Sequence, residues 1–247
     1  MVNGALLFCM KTFHVEPSGV AVERGLVQIA PGLWSVCVEA VVGGPPLPLR
    51  MTVIALSNGD IALHSPIPLS QEMAATIAAQ GPVKHVIAPS GLHHLYVQSA
   101  LKHFPEARTY ASPAVIKKRP DLRVDEALGH ELPPVLSEVL AALPIEGSAL
   151  HEIVFFHKPS GSLLVTDLIF NITQPQRWMT NFLLRCTGTY GKLAQSRLWK
   201  FYAKDKVAFA RSNARMLQWD FDRLVPCHGE VFENGAKQAV RQILRWQ

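Results

Sequence analysis

No stretch of this sequence approaches the run of roughly 20 apolar residues that a membrane-crossing helix needs, which argues against a helical integral membrane protein. The short apolar stretch Ala5-Leu6-Leu7-Phe8-Cys9-Met10 has no basic residue before it and is too brief for a secretory signal core. The expected location is therefore cytoplasmic. Cysteine is sparse: Cys9, Cys37, Cys186 and Cys227 are scattered and form no C-x-x-C pair. That argues against a disulfide framework and against a structural zinc knuckle. Cys227, beside a histidine, reads as a small half-buried hydrophobe. Low-complexity tracts and internal repeats are also missing. With 49% hydrophobic residues, the chain has the composition of a compact globular protein rather than a disordered one.

What is present is a succession of short strands and helices. Residues 33–38 alternate as a half-buried strand does. Residues 50–56 and 61–64 read as a hairpin over Ser57-Asn58-Gly59-Asp60, with Asn-Gly supplying positive φ angles. A helix follows from Ser70, its N-cap, to Gln80, stopped by Gly81-Pro82. Next come a strand over residues 83–88, a helix over 95–104, a strand over 108–111 and a helical turn between Pro113 and Pro120. An edge strand is expected within 124–143. Residues 152–157 and 161–167 form a second hairpin, and residues 175–219 read as mostly helical. A strand at 222–225 and a helix at 235–246 close the chain. This order is not a strict βαβ array. It suits an α/β (α+β) class protein: a four-layer αββα sandwich of two mixed β-sheets flanked by helices, a single domain over residues 1–247.

Three of the strands deliver chemistry at their ends. Residues 83–88 give way to Pro89-Ser90-Gly91-Leu92-His93-His94. The run Ser162-Leu163-Leu164-Val165-Thr166 delivers Asp167, and Leu224-Val225 leads to Pro226-Cys227-His228-Gly229. Strand, turn, then an imidazole or carboxylate is how a metal site is assembled from distant parts of a chain. Each residue also has a plainer reading. His228 could be a turn histidine bonded to backbone, and Asp167 could cap a turn with Asn171 and Thr173. His93 and His94, as neighbours on extended chain, would point opposite ways. His157, beside Lys158 on a hairpin, is expected to be solvated, and His14, His85, His103 and His130 carry no signal.

In this order, His93-His94, Asp167 and Pro226-Cys227-His228-Gly229 resemble the metallo-β-lactamase fold superfamily, from about Leu33 to the C-terminus. The resemblance implies the αββα sandwich and a site for one or two metals, usually zinc or iron. Members place an H-x-H-x-D-H motif after a strand, then a further histidine, a bridging aspartate and a last histidine. Aligning His94 with the last histidine of the motif puts His93 at its aspartate, and Pro89 and Gly91 where its first two histidines belong. His94, Asp167 and His228 then stand for the second metal's set, with His93 a weaker candidate. The first metal's set is broken. Three protein ligands and an open position are sufficient for one catalytic metal. His151 falls near the middle histidine but lacks its Gly-His-x-x-Gly setting, Glu152 beside it is a possible substitute oxygen ligand, and His64 is a possible supporting partner.

The resemblance thus implies a divergent hydrolase holding one divalent metal, zinc before iron or manganese. Asp167 would serve the attacking water, on an ester, thioester, lactone or phosphate. The alternative is a metal-free, inactive member acting as a binding or scaffold module. The net charge of +5 is unevenly placed. Residues 177–215 carry nine basic side chains and one acid, Asp205, interleaved with Trp178, Phe182, Tyr190, Trp199, Phe201, Tyr202 and Phe209. Such a segment suits an anionic small-molecule substrate, a nucleic acid or a membrane face. It is equally the pattern of an amphipathic helical pair with a solvated basic side, and no nucleic-acid module signature accompanies it.

Overall fold

The computed structural model describes residues 20–21, 25–41, 44–174 and 176–245. Residues 5–10 (with Cys9), His14 and Trp246 lie outside the described residues. The larger sheet contains β1 (Val20–Ala21), β2 (Val27–Ala30), β3 (Leu33–Ala40), β4 (Leu47–Ala55), β5 (Ile61–His64), β6 (Val83–Ala88), β7 (Arg108–Ala111) and β8 (Glu126–Ala127). Its order is β1-β3-β4-β5-β6-β7-β8, with β2 also paired to β3. The smaller sheet holds β9 (Leu140–Pro144), β10 (Ile153–His157) and β11 (Ser162–Val165). Strands β12 (Phe170–Ile172) and β13 (Lys192–Ala194) pair with each other as a ribbon. A last strand, β14 (Arg223–Pro226), joins the smaller sheet beside β11 in the order β14-β11-β10-β9.

Helices cover both outer faces. Residues of α1 (Gln71–Ala78), α2 (Val97–His103) and α3 (Pro113–Lys118) share a core with the larger sheet. A short α4 (Pro134–Ser137) precedes β9, and α5 (Trp178–Thr187) lies between β12 and β13 in the chain. Residues of α6 (Trp199–Tyr202), α7 (Lys206–Met216) and α8 (Ala236–Ile243) share a core with the smaller sheet. Ser70 caps α1 as its sequence predicts, its hydroxyl accepting from the Met73 amide at 3.1 Å.

Side chains two apart on a strand share a face, and that rule divides the interior into three apolar layers. On β6, Val86 and Ala88 pack under the α1–α3 helices while Ile87 points between the sheets. On β11, Leu163 and Val165 pack toward α6–α8 while Leu164 points between the sheets, where it joins Phe155 of β10 and Val225 of β14. Three cores separate four layers, the αββα sandwich. Strands buried on both faces read as continuous apolar runs, which is why residues 83–88 and 162–166 were legible.

Three local expectations are corrected. Residues 192–194 form a strand inside the segment read as mostly helical, because they pair with residues 170–172. In the first hairpin only Gly59 takes a positive φ, +87°. Asn58 instead ties the turn through its side chain, with Oδ1 accepting from the Asp60 amide at 3.1 Å. His157 is buried, not solvated: it pairs with Leu140 in the register, and its Nδ1 lies 2.6 Å from Ser160 Oγ. Burial lowers its pKa to about 4.

Because β5–β6 and β11–β14 are parallel pairs, the segments that follow β11 and β14 leave the smaller sheet side by side. The inter-sheet layer supports this arrangement, and its packing sets the cost of disturbing it. Leu164→Ala should lower the free energy of unfolding by about 3 kcal/mol, read from urea denaturation. A loss under about 1 kcal/mol would contradict the assignment of Leu164 to a closely packed layer.

Candidate metal centre

Two of the sheets' chain ends are stitched together by backbone. The Gly91 amide donates to the Leu150 carbonyl at 3.0 Å, and the Ile153 amide donates to the Pro89 carbonyl at 2.8 Å. Arg50 on β4 adds a third tie. Its amide donates to the Cys227 carbonyl at 2.7 Å, and its Nε to the Pro226 carbonyl at 3.1 Å. Nη2 donates to the Gly229 carbonyl at 2.6 Å and Nη1 to Ser35 Oγ at 2.7 Å. A buried guanidinium must satisfy its donors, and this one does so by gripping the turn that carries His228.

At this end His93, Asp167 and His228 come together, with one donor atom from each lying within 4.8 Å of the others. His93 Nε2 is 3.2 Å from His228 Nε2 and 3.4 Å from Asp167 Oδ2. His228 Nε2 is 3.5 Å from Asp167 Oδ1. Each ring is held from its far side. His228 Nδ1 donates to the Pro48 carbonyl at 2.9 Å. A carbonyl can only accept, so the neutral ring keeps its Nε2 lone pair facing the cluster. His93 Nδ1 lies 2.7 Å from Ser65 Oγ. Phe170 stacks on His228 with ring centroids 4.9 Å apart at 7°.

Asp167 is fixed through its backbone. Its amide donates to Glu152 Oε2 at 3.1 Å while the Thr166 amide donates to Glu152 Oε1 at 2.7 Å. The indole Nε1 of Trp199 donates to the Asp167 carbonyl at 2.9 Å. Burial alone would raise the Asp167 pKa, but the charge of His93 and the close approach of both imidazoles outweigh it and hold the carboxyl well below the usual range. Burial, then the charge on Asp167, push Glu152 the other way, up to about 8, against the amides that favour its ionised form.

The remaining candidates fall outside this cluster. His94 is buried with both ring nitrogens lacking a hydrogen bond. The turn in which the His93 amide bonds the Ser90 carbonyl and the Val97 amide bonds the His94 carbonyl separates the directions of the two histidines. Burial, then the charges of Lys118 and Arg119, lower the His94 pKa to about 4. The cluster thus contains His93 and not His94, although the sequence favoured His94. His64, at the end of β5, packs edge-on against Phe155 at 5.4 Å. Burial and then the charge of His93 lower its pKa to about 3. His151 is exposed in a turn at φ +45°. Glu152 spends both oxygens on the backbone before and at Asp167, which makes it a positioning residue. Sequence reasoning missed Arg50, Ser65, Phe170 and Trp199. Only Arg50, a lone charge in an apolar strand, offered a signal. Burial raises the Cys227 thiol pKa strongly, and Cys227 does not lie in the His93, Asp167 and His228 cluster.

The donor set suits a metal ion. Asp167 Oδ2 is a buried carboxylate oxygen without a hydrogen bond, and it faces two imidazole nitrogens. Donors around a tetrahedral zinc lie about 3.3 Å apart, given bonds of about 2.0–2.1 Å, close to the 3.2 to 3.5 Å found between these three.

The buried neutral histidines set an acid limit on stability. A folded pKa of about 4 for His94, below its ordinary 6.5, means the unfolded chain binds the extra proton first as pH falls. Stability should therefore decline between pH 6.5 and 4, at up to about 1.4 kcal/mol per pH unit for one such group. In His94→Gln, denaturation across that window should show a shallower slope. An unchanged slope would contradict a buried neutral His94.

With the geometry in place, comparison with known proteins identifies the architecture. A family model described as "Domain of unknown function (DUF4336)" matches residues 33–116. No curated protein matches the chain. The DIM-1 metallo-β-lactamase is similar in structure at a TM-score of 0.63 and 12% identity, covering 91% of this chain and 98% of its own. A metallo-β-lactamase from Hirschia baltica gives 0.62 and 13%, covering 90% and 97%. FIM-1 from Pseudomonas aeruginosa, in its mono-zinc form, gives 0.62 and 13%, covering 90% and 95%. At such identities the likeness is one of fold. The chain is a divergent bearer of the metallo-β-lactamase fold.

Proposed function

We propose that this protein is a metallo-β-lactamase-like hydrolase that holds one divalent metal ion, zinc, through His93, Asp167 and His228. The observation that carries the reading is the convergence of two imidazole nitrogens and a carboxylate, 3.2 to 3.5 Å apart, each oriented from behind. A zinc ion held by such a set supplies Lewis acidity and activates water for hydrolysis. The chain's own groups do the rest. Pro48 and Ser65 orient the two rings, and Glu152 and Trp199 fix the Asp167 backbone. Asp167, ionised at neutral pH, can accept a hydrogen bond from a water molecule and orient it. The substrate is an ester, thioester, lactone or phosphate, and the basic residues of segment 177–215 favour an anionic one. FIM-1, which shares the fold, has been solved in a mono-zinc form, and this supports a reading with a single metal.

The reading also has a single-metal logic. Pro89 and Gly91, at the first two histidine positions of the motif, use their backbones to join the sheets. A Cβ at Gly91 would sit 3.2 Å from Ala114 Cβ and 3.4 Å from the Leu150 carbonyl oxygen, so a side chain there would crowd both. A second reading, a metal-free binding or scaffold module, is favoured by one feature. The 3.2 Å between His93 Nε2 and His228 Nε2 can be bridged by a shared proton with no ion.

Elemental analysis after zinc loading and desalting separates the two. Wild type and His94→Gln should each retain a single zinc, whereas His93→Ala and His228→Ala should lose affinity by roughly tenfold or more. A wild type that retains no zinc sinks the metal reading and leaves the module. A His94→Gln variant that cannot be loaded would overturn the ligand set.

A further inference from the structure

The surface of α5 is unlike that of the other helices. Its buried side is Thr180 and Leu184, whereas Trp178, Met179 and Phe182 stand 77%, 50% and 66% exposed. At spacings of three and four residues, these three form one stripe on the solvent side of the helix. Single exposed apolar residues need no explanation, but a stripe of two aromatics and a methionine does. Phe201 and Val207, further along the same segment, are also exposed. Arg197, whose amide donates to the Thr187 carbonyl at 2.8 Å, joins the end of α5 to the chain that leads into Phe201.

The charge of the segment that carries this stripe points to what covers it. Residues 177–215 hold nine of the 24 basic side chains and one of the 19 acids. The remaining 208 residues therefore carry 15 basic and 18 acidic side chains, a net −3, so the excess positive charge of the protein resides wholly in this segment. Within it, Arg177 and Arg211 have carboxylate partners, Glu39 and Glu146. Arg185 stacks over Tyr190 at 4.5 Å. A second copy of the chain would bring like charge against like charge across this face. A single-stranded nucleic acid would use the cations and could stack bases on Trp178 and Phe182, but it gains nothing from Met179 exposed beside them. An anionic bilayer satisfies both features: aromatics settle at the headgroup level and basic residues meet the negative surface.

We propose that the protein docks on anionic membrane surfaces through α5, with Trp178, Met179 and Phe182 inserted at the interface and Arg177, Arg185 and Arg197, which lie at the ends of that helix, nearest the headgroups. The helix also sits at the margin of the candidate centre. Thr180 Oγ1 donates to the Pro46 carbonyl at 2.7 Å, and Pro48, two residues on, is the residue that orients His228. Docking through α5 therefore places the mouth of the centre next to the bilayer. The proposal rests on the surface of α5 and does not need the metal reading.

Co-sedimentation of the full-length, metal-depleted protein with vesicles tests it. Phosphatidylcholine vesicles containing phosphatidylserine should pull the protein down, less so as salt is raised, while phosphatidylcholine alone should not. The double variant W178A/F182A should bind at least roughly tenfold more weakly with an unchanged unfolding midpoint, since both side chains are exposed. Wild type left in the supernatant, or a double variant that binds equally, overturns the proposal. So does retention on an RNA homopolymer that the double variant loses, or self-association that it abolishes; these would assign the stripe to nucleic acid or to a second copy.

Discussion

Everything at the candidate centre depends on the way the two sheets are tied where their strands end. Stacked sheets are held by apolar side chains along their length, but at the edges of that layer backbone groups run out of partners. Here they find each other across the gap: Gly91 to Leu150, Ile153 to Pro89, and Arg50 to Cys227. Arg50 then grips Pro226 and Gly229 as well. Those hydrogen bonds flank the turns that carry His93 and His228, and Glu152 and Trp199 hold Asp167 beside them. Gly229 shows how tight that closure is. At φ +100°, a Cβ there would lie 2.0 Å from the Asn171 carbonyl oxygen.

The same constraint bears on positions 89 and 91, where the resembling motif has its first two histidines. The turn after β6 is committed to joining the sheets, and a side chain at Gly91 would press on Ala114 and on the Leu150 carbonyl. A histidine at position 91 would therefore strain this seam. What persists is the set fed by the other two strand ends and by His93. Glu152 fits this picture. Buried between Thr166 and Asp167 amides, its carboxyl shapes the loop that presents Asp167, in place of binding a metal itself.

The fold was legible because its signals are local. Alternating apolar positions at 33–38, the Asn58-Gly59 turn, the Ser70 cap and the buried runs at 83–88 and 162–166 each report on their own neighbourhood. The ribbon at 192–194 was not legible, since its partner lies at 170–172 and three residues carry no period. At the centre, Asp167 and His228 were visible as polar residues at strand ends. The choice between His93 and His94 was not, because it turns on the hydrogen bonds of residues 90–97. Pro48, Ser65 and Trp199 act through a carbonyl, a hydroxyl and an indole that arrive from distant parts of the chain, and no spacing announces them.

Two imidazoles and one carboxylate, oriented by Pro48, Ser65 and Glu152, make up the proposed donor set for one metal. Zinc K-edge X-ray absorption of the zinc-loaded protein tests it most directly. The account predicts a nitrogen and oxygen shell containing two imidazoles and no sulfur. A sulfur scatterer from Cys227, a third imidazole, or a spectrum of hydrated zinc alone would contradict it.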